Sequence, residues 1–312
     1  MANRVADVSE FEAIVRAGTA LSRAQAETIL ASPDLVGVGL LGELARRAGS
    51  GDQVTFGRVC VLTGSAQPSE RGHAGEVRLA DTPTTIEDAR ARVRAAKTFA
   101  GGIPLTGFSL ADLLALAGSD HLALADLAKA LKADGLEAVA ESPLDQLGDT
   151  DNAIEVVRAV RHGGLETWRA TITRASIAQR LDLIERAVVV QRETSAFRAF
   201  APLPRLDPGD APATGYDDVR SVAIARLMCR AIPFIQVDWP LYGPKLAQVA
   251  IAYGANDIDG VATVDQVDLG PRRSAREEIE RQIRAVVATP VERNGRYETG
   301  TTGTTGTTGT TR

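Results

Sequence analysis

The sequence predicts an α/β fold, a (β/α)8 barrel of TIM type. Short apolar runs alternate with amphipathic helical segments about eight times along the chain. Such alternation implies parallel strands joined by right-handed crossovers, which either close into a barrel or form an open doubly wound sheet. The open sheet loses its usual signature, because no G-x-G-x-x-G follows a strand and no G-x-x-x-x-G-K-S/T occurs. At 312 residues and 44% hydrophobic content, the chain can bury a large core.

Residues 1–48 read as a helical lead-in, and "SGDQ" as the turn into a barrel spanning 49–298. The first strand is "VTFGRVCVLT" (54–63), and "EVRLA" (76–80) is a weaker one. "TTIE" has capping-box chemistry, with Thr84 as the cap and Glu87 reaching back to start a helix. "GIPLT" (102–106) is a strand, followed by helices over 109–118 and 122–135. Strands at 136–140, 167–173 and 197–203 are separated by helices at 152–164 and 177–193. A helix over 217–231 leads to the strand "FIQVDW" (234–239), then a helix over 244–254 and the strand "IDGVATV" (258–264).

In "YGANDIDG", Gly254 ends a helix in a left-handed turn, while Asn256 and Asp257 hydrogen-bond nearby amides. Because this junction precedes a strand, it belongs on the face opposite the catalytic loops. "SARE" is a second capping box, with Ser274 and Glu277. The Thr/Gly repeat of 299–312 has no apolar residue to offset its ordering entropy and is expected to be disordered.

Several function classes lose support. With 35 basic against 40 acidic residues and no Lys/Arg cluster, nucleic acid is not an expected partner. No apolar run approaches a bilayer span and the N-terminal segment is too acidic for a signal peptide, so no membrane partner is expected and the expected location is the cytoplasm. Cys60 and Cys229 are the only cysteines, and His73, His121 and His162 sit in no metal-ligand spacing, so no metal site is read from the residues. No G-x-S-x-G elbow supports a serine hydrolase.

Barrel ligands bind where strands end, which singles out Thr173, Arg174, Arg205, Asp238 and Trp239 as candidate ligand-binding residues. Asp238, at the end of a buried strand, needs a partner or a polar pocket; it is either a salt-bridged rim residue or an acid/base. Trp239 either stacks on a planar ligand or plugs the barrel mouth. No catalytic residue is assigned.

The segments "TGYDDVRSVAIARL", "IPFIQVDWPLYGPKLAQVAIAYGANDIDG" and "AREEIERQIRAVVATPVERNGRYE" resemble, in order and spacing, the C-terminal half of the radical S-adenosylmethionine enzymes of the futalosine route to menaquinone. Aminofutalosine synthase is the nearest in character, and dehypoxanthine futalosine cyclase and the FO synthase subunit of deazaflavin biosynthesis are relatives. The resemblance is good over 214–298 and weaker over 100–298. It implies a (β/α)8 barrel and a [4Fe-4S] cluster near the end of the first strand, held by a C-x-x-x-C-x-x-C motif and open to S-adenosylmethionine.

The matching stretch, "VTFGRVCVLTGSAQPSERGHAGE", contains Cys60 alone. The segment from Cys60 to Gly102 is shortened or rewritten relative to the family. The family's glycine-rich stretch appears as "AESPLDQLGDTDN", "ITRASIAQR" replaces a polar strand ending, and "VATVDQVDLG" lacks the usual glutamates.

The expectation drawn is a degenerate, non-radical paralogue with no cofactor. It keeps the scaffold and an accessory or small-molecule-binding role in menaquinone biosynthesis, with a small ligand or a pathway protein as partner. The alternatives are an active radical enzyme with unusual cluster ligation and a non-radical barrel enzyme using Asp238.

Overall fold

The computed structural model describes residues 8–64, 70–206, 213–264 and 276–300. In chain order the elements are a 3-10 turn (Val8–Phe11), α1 (Glu12–Arg16), α2 (Arg23–Ala31), α3 (Leu35–Ser50), β1 (Gln53–Leu62), β2 (Glu76–Leu79) and α4 (Ile86–Ala100). Then come β3 (Leu105–Ser109), α5 (Leu110–Leu116), α6 (His121–Asp134), β4 (Ala138–Pro143), α7 (Thr150–His162), β5 (Arg169–Thr171), α8 (Ile177–Thr194) and β6 (Ala199–Phe200). The chain continues through α9 (Gly215–Met228), β7 (Phe234–Asp238), α10 (Trp239–Ala252), β8 (Asp257–Val261), α11 (Arg276–Ala285) and β9 (Thr289–Arg293).

β2 to β8 pair in sequence, and β1 closes the ring by pairing in parallel with both β8 and β2. The alternation read from the sequence is thus a closed barrel and not an open sheet. β9, which the sequence reading did not anticipate, pairs with Gln53–Gly57 of β1, below the stretch Val59–Leu62 that pairs with β2. "TPVER" gives no apolar alternation and contains a proline, so its strand is set by tertiary pairing.

The first unit is irregular. β1 and β2 are joined by residues 63–75, and among the described residues of that connection there is no helix. A parallel crossover ordinarily carries one on the outer face of the sheet.

Several boundaries move. α4 begins one residue later than expected, so Thr85, not Thr84, accepts from the Asp88 amide, and Asp88 takes the place assigned to Glu87. β3 starts after a turn opened by Gly101, at φ +63. Trp239 begins α10 instead of ending a strand, because Asp238 caps the helix through the Leu241 amide at 3.2 Å. Ser274 and the tail 301–312 lie outside the described residues.

The lead-in packs on the barrel through small residues. A Cβ on Gly42 of α3 would meet the Tyr253 carbonyl oxygen at 2.3 Å, so glycine is what permits this approach to the end of α10. Gly254 follows at φ +112, ending the helix as its sequence context requires.

Candidate functional site at the barrel mouth

Polar residues alternate with apolar ones in β2, β5, β7 and β8, and the polar set meets inside the barrel. Asp259, fully buried, accepts from Arg78 Nη1 at 2.7 Å, Arg169 Nη1 at 2.5 Å and Arg293 Nη2 at 3.1 Å. Asp257 accepts from Arg293 Nε at 2.6 Å, Gln236 Nε2 at 2.6 Å and Thr55 Oγ1 at 2.5 Å. Glu76 takes a fork from Arg78 at 2.7 and 2.9 Å and a hydroxyl from Thr106 at 2.6 Å.

Burial opposes the charge on Asp259, but three guanidiniums outweigh it and hold the carboxyl well below the usual range. The same pairing holds Arg78 and Arg293 charged against their own desolvation. Three arginines and three carboxylates make a balanced floor, so breaking any pair leaves an uncompensated buried charge.

Above this floor, at the C-terminal ends of β1, β2, β7 and β8, lies a cavity of about 410 Å³. Cys60, Arg78, Arg205, Asp238, Leu241 and Gly260 are among its lining residues. Arg205 spans two carboxylates, Nε lying 3.2 Å from Glu141 and Nη1 3.3 Å from Asp238. Burial raises the Asp238 carboxyl, and the charge of Asp259 adds to this, while Arg205 opposes it. Gly260, at φ +76, lets the β8 backbone pass against the Pro240 ring.

Of the five residues singled out from strand ends, the fold brings Arg205 and Asp238 together at this mouth. Thr173 and Arg174 do not line the cavity; their amides donate to Asp145 at 2.8 and 2.9 Å. Trp239 is fully buried in the core, its indole N–H without a hydrogen-bond partner among the described residues, so it presents no face to a ligand. Glu141, Arg78 and Arg169 were missed. The signal for Arg78 and Arg169 was present as Glu76 with Arg78 and Arg169 with Thr171, polar pairs two residues apart on buried strands; Glu141 had no such signal.

"GANDIDG" also gains a role. Its Asn256 side chain accepts from Arg226 and from the Ile235 amide, as a junction residue should. Its two aspartates are the anionic hub of the barrel interior.

No family profile matches the chain. It is 27% identical over 234 residues to aminodeoxyfutalosine synthase of Thermus thermophilus, covering 66% of this chain and 63% of the relative. A shorter match, 34% over 140 residues, covers 38% of this chain and 36% of aminodeoxyfutalosine synthase of Streptomyces coelicolor. The 5-amino-6-(D-ribitylamino)uracil–L-tyrosine 4-hydroxyphenyl transferase of Methanothermobacter thermautotrophicus is 29% identical over 239 residues, 66% of this chain and 64% of the relative. The chain therefore spans less than two thirds of the length of these relatives. Among solved structures, methylornithine synthase superposes with a TM-score of 0.65 at 13% identity, covering 90% of this chain and 97% of the other. The [FeFe]-hydrogenase maturase HydG from Carboxydothermus hydrogenoformans also gives 0.65, at 11% identity, covering 91% and 79%.

These comparisons correct the expectation that no cofactor is involved. The relatives and neighbours are radical S-adenosylmethionine enzymes, a class that uses a [4Fe-4S] cluster and S-adenosylmethionine.

The residues of this chain do not match the three-thiolate ligand set. Cys60 lines the mouth, its thiol raised by burial. Cys229 ends α9, with Sγ 3.8 Å from the Ile184 carbonyl oxygen and burial lifting its thiol to about 12. Among the described residues no three His, Cys, Asp or Glu side chains are grouped to hold a metal ion. The chain is similar in sequence to aminodeoxyfutalosine synthases and shares the barrel fold of methylornithine synthase.

Proposed function

We propose that this chain is a degenerate paralogue of the futalosine-route enzymes that does not start radical chemistry on its own and keeps the barrel mouth as a site for a small polar molecule, in an accessory role in menaquinone biosynthesis. The observation that carries the reading is the mouth itself. A cavity within the size range of small-molecule sites is walled by the Arg205–Asp238 pair, with a single thiol where the family places three.

Titration with adenosine, a nucleoside probe suggested by the relatives' names, tests the binding half. Saturable binding that Arg205→Gln weakens at least about tenfold supports the mouth as the site, since a charge-assisted hydrogen bond is lost. Binding untouched by Arg205→Gln removes the mouth from the account. Anaerobic incubation with iron, sulfide, S-adenosylmethionine and a reductant such as dithionite tests the other half, and release of 5′-deoxyadenosine would contradict it.

One observation favours a second reading, a non-radical enzyme using Asp238. Burial raises this carboxyl at the wall of the cavity, which suits an acid or base. In that case Asp238→Asn abolishes turnover while leaving the melting temperature no lower.

A further inference from the structure

The interior floor is charge-balanced, but the opposite end of the barrel is not. There, at the N-terminal ends of β1, β7 and β8, a cavity of about 560 Å³ is lined by Ser50, Gln53, Arg226, Arg230, Asn256 and Tyr297 among others. Among the described residues its lining contains no Asp or Glu.

Arg226 is 5% exposed and spends its donors on neutral oxygens: Nε on the Gly254 carbonyl at 2.7 Å, Nη1 on the Pro233 carbonyl at 3.4 Å, and Nη2 on the Asn256 amide oxygen. Arg230 donates Nη1 to the Ala45 carbonyl at 2.9 Å. Behind them Arg46, 1% exposed and outside the cavity lining, donates Nη1 to the Gly51 carbonyl at 3.3 Å and pairs with Glu43 at 3.9 Å, a carboxylate that Arg47 also holds at 2.8 Å; its buried Nε has no partner among the described residues. No carboxylate acts on Arg226 or Arg230, and burial with mutual repulsion pushes the Arg226 guanidinium down to about 9. Asp257, the nearest interior acid along the chain, is fully engaged by Arg293.

Buried cations without anions are costly, and arginine guanidiniums are a usual recognition element for phosphate. We propose that this cavity binds a small phosphate-bearing molecule, whose dianion supplies the charge that Arg226 and Arg230 lack. The site lies at the far end of the barrel from the mouth and is independent of what the mouth binds. Tyr297, stacked against Phe234 with ring centroids 5.4 Å apart, gives the cavity an aromatic wall for the organic part of such a ligand.

The test is calorimetric titration of the full chain with inorganic phosphate, ionic strength being held constant with chloride. Saturable binding is expected, with acetate at least about tenfold weaker because it carries one charge. Arg230→Gln is expected to weaken phosphate at least about tenfold, while Arg205→Gln at the mouth leaves it unchanged. If Arg230→Gln does not fold, Arg230→Lys keeps the charge but loses the fork, and is expected to bind phosphate more weakly at an unchanged melting temperature. Absence of saturable binding, acetate equal to phosphate, or full affinity in a folded Arg230 variant would overturn the proposal. Failure of adenosine to bind at the mouth leaves it standing.

Discussion

Asp259 shows how much of this molecule rests on single side chains. It neutralises parts of three arginines at zero exposure, so Asp259→Asn leaves cationic excess in a dry interior. The expected loss is about 3–5 kcal/mol, read by urea unfolding. Its depressed carboxyl binds protons less readily in the folded state, so its contribution is full above the unfolded carboxylate value of about 4 and is lost as pH falls through the folded one. Asp238 has the opposite sign. Its raised carboxyl favours the folded state when protonated, and stability declines as pH rises from about 4 through the folded value. Asp238→Asn should therefore flatten the pH profile just above 4 and melt no lower than the parent at neutral pH. A parent-like decline in the variant would show that another group titrates there.

At the scale of the element, the strands were legible where polar and apolar residues alternate on buried runs, and β1, β5 and β7 fall where the pattern put them. The pattern's meaning was harder to read, because Glu76, Arg78 and Asp259 look like surface residues until the barrel closes around them. β9 was illegible, since its pairing with β1 is non-local and its sequence carries no alternation. The mouth was half legible: strand ends pointed to Arg205 and Asp238, but placing Trp239 needed the Asp238 cap that starts α10. Two substitutions check these junctions. Gly254→Ala imposes a side chain at φ +112 with Arg226 Cβ only 2.8 Å away, and should cost more than about 1 kcal/mol. Trp239→Ala opens a cavity in the core and should cost about 3–5 kcal/mol. A thermal melt within a degree or so of the parent for either would contradict the packing described.

For the whole molecule, the barrel is the one its structural neighbours share, and the sequence offers two cysteines, one at the mouth and one ending an outer helix. Cysteine thiolates are the usual ligands of an iron–sulfur cluster, and one of the two in this chain lines the mouth. Charge inside the barrel is balanced toward the mouth and unbalanced toward the far end, so the two ends should differ in what they bind. Anaerobic reconstitution of the full chain with iron and sulfide, followed by S-adenosylmethionine and a reductant, addresses the central claim most directly. The account predicts no 5′-deoxyadenosine from this chain alone; release of 5′-deoxyadenosine would contradict it.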